Sequence, residues 1–99
     1  MTYASPTQRQ ELIAGLRMLA DFLAGNPEVP VPPSVDVLVF PPFVSDSAKR
    51  REIDVIATRI DSGTQTFSSY QHYQTARRFG PVEYRAVAIP ADQGEGHGK

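Results

Sequence analysis

Apolar side chains recur every three or four residues in the first quarter of the chain, and alternate with other residues through much of its second half. The first spacing is that of a helix and the second that of strands. In "SPTQRQELIAGLRMLADFLAGNP", Leu12, Leu16, Leu19 and Leu23 share one helical face, which Ile13 and Ala20 widen. Ser5 before Pro6, with Gln8 three residues on, has the pattern of a capping box, and Thr7 with Gln10 offers another. Gly25 and Asn26 predict left-handed capping residues, and Pro27 forbids continuation. The helical period returns in "SDSAKRREIDVIATRI". There Ser45 is the expected N-cap, Asp46 suits the positive end of the helix dipole, and Ile53, Ile56, Ala57 and Ile60 form the stripe to be buried. Asp61, Ser62 and Gly63 close this second helix.

Between the helices, "PEVPVPP" is too rich in proline to be helical and reads as a stiff extended connector. Its Pro30-Val31-Pro32-Pro33 also matches the spacing of a short proline recognition motif, but such motifs are compositional hints only and a stiff packed loop is the expected reading. "SVDVLVF" is a strand. Val35, Val37 and Val39 point one way, and Asp36, Leu38 and Phe40 the other. With apolar residues on both faces it reads as an interior strand. After the second helix, residues 64–67 form a strand expected to lie parallel to the first or near it. "SSYQ" is a link, and "HYQTARRF" and "VEYRAVAI" are the last two strands. The predicted class is therefore α+β: two helices on one face of a mixed four-stranded sheet, in the order αβαβββ, ending in a β-hairpin. Residues 1–90 form one domain, and residues 91–99, with three glycines and no apolar residue after Ala91, form a disordered tail.

The hairpin fixes which side chains share a face. Gly80 can take the positive φ that the first position of a type II′ turn requires, and the ring of Pro81 suits the second. A two-residue loop sets Phe79 opposite Val82, Arg78 opposite Glu83, Arg77 opposite Tyr84, Tyr73 opposite Ala88 and His72 opposite Ile89. Tyr73, Thr75, Arg77, Phe79, Val82, Tyr84, Ala86 and Ala88 then share the face that meets the helices, with Arg77 snorkelling to its rim. His72, Gln74, Ala76, Arg78, Glu83, Arg85, Val87 and Ile89 share the other. If this strand neighbours "SVDVLVF", then Leu38, Phe40, Val87 and Ile89 make an apolar patch rimmed by Gln74, Arg78, Arg85 and His72. Such a patch is a docking surface for a protein partner or a second copy, unless the proline segment or the tail covers it.

Composition narrows the chemistry. The 99 residues include no cysteine, so disulfides, thiolate metal sites and thiol nucleophiles are excluded, and a cytoplasmic setting is expected. The longest apolar stretch, residues 12–23, carries Arg17 and Asp21 and is too short and too charged to span a membrane. With two histidines and no ligand spacing, no metal and no other cofactor is predicted. There is no nucleophile elbow and no phosphate loop, and Asp54 and Asp61 read as solvated charge and a cap. No catalytic residue is assigned; a small enzyme built around His72 stands as a distant alternative.

Net charge is −1, but residues 1–48 hold two basic and five acidic residues while residues 49–85 hold seven and four. Lys49, Arg50 and Arg51 open the second helix, and Arg77, Arg78 and Arg85 lie on the hairpin near Tyr70, Tyr73 and Tyr84. Arginines interleaved with aromatics can grip phosphates and stack bases, which makes nucleic-acid binding the leading alternative to a protein partner.

Two stretches, "ELIAGLRMLADFLAGNPEVPVP" and "RFGPVEYRAVAIP", together resemble a group of small uncharacterised proteins of actinobacteria and of their phages and mobile elements. The resemblance covers most of residues 7–90. It implies an intracellular, accessory role and assigns no catalytic or binding residue. The reading that results is a small non-enzymatic interaction module whose interface comprises Leu38, Phe40, Gln74, Arg78, Arg85, Val87 and Ile89.

Overall fold

In the computed structural model, residues 2–67 and 72–90 are described. The link expected at 68–71 and the tail expected at 91–99 lie outside them. The chain divides into two compact units, Tyr3–Pro33 and a second unit built from Ser34 onward.

The first unit holds helix α1, Pro6–Gly25. Its start follows the sequence closely. The Ser5 hydroxyl accepts from the Gln8 amide at 3.1 Å, and the Gln8 side-chain oxygen accepts from the Ser5 amide at 2.9 Å. Two orphan amides of the first turn are thus satisfied reciprocally. The end differs from expectation, because neither Gly25 nor Asn26 is left-handed. Asn26 is extended, with φ −133° and ψ 70°. The following Pro27 explains this, since its ring disfavours helical geometry in the preceding residue. Asn26 caps through its side chain instead, donating Nδ2–H to the Phe22 carbonyl at 2.7 Å. No residue of α1 is buried.

The second unit contains strand β1 (Val35–Val39), helix α2 (Asp46–Arg59), and strands β2 (Thr64–Phe67), β3 (His72–Phe79) and β4 (Val82–Ala88). With α1 ahead of them the order is αβαβββ, two helices and a mixed four-stranded sheet, as the α+β class requires. α2 starts where Ser45 accepts from the Ala48 amide at 3.1 Å. It ends in a Schellman arrangement: Ser62 N–H donates to the Ala57 carbonyl at 2.8 Å and Asp61 N–H to the Thr58 carbonyl at 3.2 Å. Asp61 occupies the left-handed position, φ +56°, that glycine usually takes.

Across the sheet the strands run β1-β4-β3-β2. The hairpin register is the expected one, from Phe79 opposite Val82 to Tyr73 opposite Ala88. That ladder stops at Tyr73, one pair short of the expected His72 opposite Ile89, and on its other side β3 pairs with β2 from Thr75 opposite Thr64 to His72 opposite Phe67. Gly80 has φ +63°, so the Gly-Pro turn has positive φ at its first central position only, the type II′ pattern. β4 pairs in parallel with β1, and β3 pairs antiparallel with both β4 and β2. β2 therefore points the same way as β1, but from the opposite edge, with two strands between them. β1 is likewise an edge strand rather than an interior one, and Val35 and Leu38 are exposed. Its apolar alternation reports side chains that want cover, not the number of neighbouring strands.

α2 covers one face of this sheet. Ile53 is fully buried among Ala86, Ala88, Val39, Ile56, Tyr73 and Tyr84, which contributes about 1.5–3 kcal/mol. These sheet residues are on the face expected to meet the helices. The alanines let α2 approach closely. Both ends of α2 are pinned: Lys49 Nζ donates to the Ile89 carbonyl at 3.0 Å, and the Ser62 hydroxyl to the Ala76 carbonyl at 2.7 Å.

Candidate functional site

Pairing of β1 with β4 brings the predicted interface onto one surface, the sheet face opposite α2. Leu38 lies beside Arg85, which lies beside Ala76. Asp36, Glu83 and Arg78 form the next row, and Gln65, Gln74 and Val87 the row on the other side. Phe40 and Ile89 follow directly after the ends of β1 and β4. All seven predicted residues are thus on or just beyond this face.

Their surroundings differ. Leu38 is half-exposed and Ile89 also lies open, whereas Val87 and Gln74 are buried, at 7% and 5% exposure. Arg85 donates to Glu83 Oε1 at 2.5 Å, two residues along the same strand. The cross-strand neighbour Arg78 does not take this carboxylate. A residue pair separated by two on one strand points the same way and needs no registry between strands. Arg78 is left exposed at the rim.

Where β2 begins, the same face sinks into an open hollow of about 550 Å³. Gln65, Gln74, Ala76, Arg78, Glu83 and Arg85 line it, together with residues 62–64 just before and at the start of β2. Pattern reasoning missed the contribution of β2, Gln65 above all, because strand order is not encoded in alternation. The lining has donors and acceptors of both signs, a composition suited to a polar rim beside the apolar Leu38 and Ile89.

The six basic residues considered for nucleic acid do not gather on one surface. Lys49, Arg50 and Arg51 are on α2, Arg77 points to the α2 side of the sheet, and Arg78 and Arg85 point to the other. Four of them have partners within the unit. Lys49 holds the Ile89 carbonyl and sits 4.0 Å from Asp46. The Arg50 guanidinium lies 4.3 Å from the centre of the Tyr73 ring. Arg77 donates to the Ile60 carbonyl at 3.3 Å and lies over the Phe79 ring, so it reaches the rim as expected and meets the negative end of α2. Arg85 holds Glu83.

A polar cluster on the α2 side was not anticipated. The Tyr73 hydroxyl is 2.5 Å from Asp54 Oδ1 and 3.0 Å from Thr64 Oγ1, under the Arg50 guanidinium. One hydroxyl has a single proton, so Tyr73 donates to the carboxylate and accepts from Thr64. This ties the exposed flank of α2 to β2 and β3. No sequence signal marks it, since its members are separated by turns and a strand. His72 is half-buried at the start of β3. Among the described residues, no group of three or more histidines and carboxylates is placed to hold a metal ion. Nor is any helix among them long and apolar enough to cross a membrane. Set against family models, curated proteins and solved structures, the chain matches none of them.

Proposed function

We propose that this chain is a non-enzymatic interaction module that docks a protein partner on the sheet face opposite α2. One observation carries the reading: on that face the exposed Leu38 lies beside the Arg85–Glu83 pair and the polar hollow containing Arg78. An apolar contact flanked by charge and hydrogen-bonding groups is the anatomy of a protein interface. An accessory role in a phage or mobile element, intracellular in setting, agrees with the sequence resemblance. Nucleic-acid binding gains no support, because the basic residues are divided between two faces and most are already engaged.

Photo-crosslinking in cells tests the proposal. A photoreactive amino acid at position 78 is expected to give discrete protein adducts, and one at the exposed α2 position 55 is not. Leu38→Glu in the same chain removes the adducts at 78, because a charge would have to be desolvated at the contact. Adducts from 55 but not 78, or adducts at 78 that persist with Leu38→Glu, would show that the face is not the interface.

A further inference from the structure

We infer that α1 is a self-association element, pairing antiparallel with α1 of a second copy of this chain. The surface is distinct from the sheet face proposed above. Leu12, Leu16, Leu19, Phe22 and Ile13 of α1 are exposed, between 38% and 54%. Spacings of four, three and four from Leu12 to Leu23 are those of a coiled-coil seam, with Leu12 and Leu19 at d and Leu16 and Leu23 at a. Glu11, Arg17 and Asp21 fall outside the seam and its flanks, and Arg9 takes the a position one heptad before Leu16, at the N-terminal end of the seam.

The occupant follows from self-complementarity. With a two-fold axis level with residues 17 and 18, Leu16 meets the partner's Leu19 and Leu12 meets the partner's Leu23. All four leucines are then used in four layers. An antiparallel two-fold pair also brings each flank against the same flank of its copy. One flank carries Gly15 and Phe22, and the other carries Ile13 and Ala20. Each therefore sets a large side chain against a small one. Helical side chains lean toward the N-terminus, which carries the partner's Phe22 ring over Gly15.

Gly15 is the second, independent observation. It stands mid-helix, where glycine weakens a helix relative to alanine. Its φ is not positive, and a Cβ built on it meets nothing within 4 Å. Among the described residues nothing requires glycine there, while the approach of the partner's ring does. The area is sufficient. Five half-exposed large side chains offer about 100 Å² each, so the pair buries about 1,000 Å², the lower bound for a specific interface.

The full chain, followed by sedimentation equilibrium across concentration, decides the matter. A monomer–dimer equilibrium is expected. Leu16→Glu makes the chain monomeric, whereas Met18→Glu, off the seam, leaves the equilibrium unchanged. Gly15→Gln covers the possibility that Leu16→Glu misfolds: it strengthens the single helix yet weakens the dimer at least tenfold. The absence of cysteine allows orientation to be read directly. Leu12→Cys chains mixed with Leu23→Cys chains form a disulfide dimer, and Leu12→Cys alone does not, because its two copies lie roughly 16 Å apart along the helices. A monomer at every concentration, a dimer that survives Leu16→Glu, or a disulfide from Leu12→Cys alone overturns the inference. So does a dimer lost on Arg78→Glu but kept on Leu16→Glu, which would place self-association on the sheet face.

Discussion

α1 and α2 are both amphipathic helices opened by a serine cap, yet they meet opposite fates. α2 places its central isoleucine at zero exposure against two alanines of β4, while α1, longer and richer in leucine, buries no residue. A strong apolar stripe therefore does not by itself say that a helix stabilises its own chain. For α2 the neighbouring β4 offers small residues at the contact, Ala86 and Ala88 beside Ile53. The contrast predicts that stability of the folded unit resides in α2 and the sheet, and that the leucines of α1 serve association.

The sharpest way to break that contrast is Ile53→Ala. The site is fully buried, and Val39, Ile56, Tyr73 and Tyr84 pack around it with Ala86 and Ala88, so truncation leaves a cavity. Truncation is expected to cost about 2–5 kcal/mol, a large share of the 5–15 kcal/mol typical of a domain. Urea denaturation checks it. A loss below about 1 kcal/mol would mean that this core does not hold the unit together.

An intermediate effect of opposite sign is expected at the end of α2. Asp61 sits in the left-handed region and places a carboxylate at the negative end of the helix. Asp61→Gly relieves both, at the cost of a more flexible unfolded chain, and should raise stability by about 0.5–1 kcal/mol. Asp61→Asn removes only the charge and should recover a smaller part. A lower melting temperature in Asp61→Gly would show that the carboxylate has a role there beyond capping.

What could be read from the chain divides along the same physical line. Local chemistry was legible: the Ser5 and Ser45 caps, the Gly80-Pro81 turn and the hairpin register depend on residues close in sequence, whose geometry is set by sterics and short hydrogen bonds. The two faces of β3 and β4 followed from that register alone. Partners across the sheet were not legible. The edge position of β1, the arrival of Gln65 beside Gln74, and the meeting of Tyr73 with Asp54 all depend on strand order, which alternation leaves open. The choice of Glu83 by Arg85 rather than Arg78 belongs to the same class, since competing ion pairs on one strand face have similar geometry and small energy differences. Asn26 marks a limit of a different kind: the cap was recognisable, but Pro27 overrode the usual left-handed form.

The smallest expected effect is the most direct test of the comparison. Leu19 is 52% exposed, so Leu19→Ala leaves no cavity within the chain, and alanine favours the helix slightly more than leucine. At concentrations well below the dissociation constant, the unfolding free energy should stay within about 0.5 kcal/mol of the parent. As concentration rises, association adds stability to the parent that grows with the logarithm of one plus the ratio of free chain to the dissociation constant, whereas the variant, short of a central layer, should gain less. Thermal melts at matched concentrations therefore begin together and diverge. Divergence already present at the lowest concentration would mean that Leu19 supports its own chain, and that the difference between the two helices is one of degree.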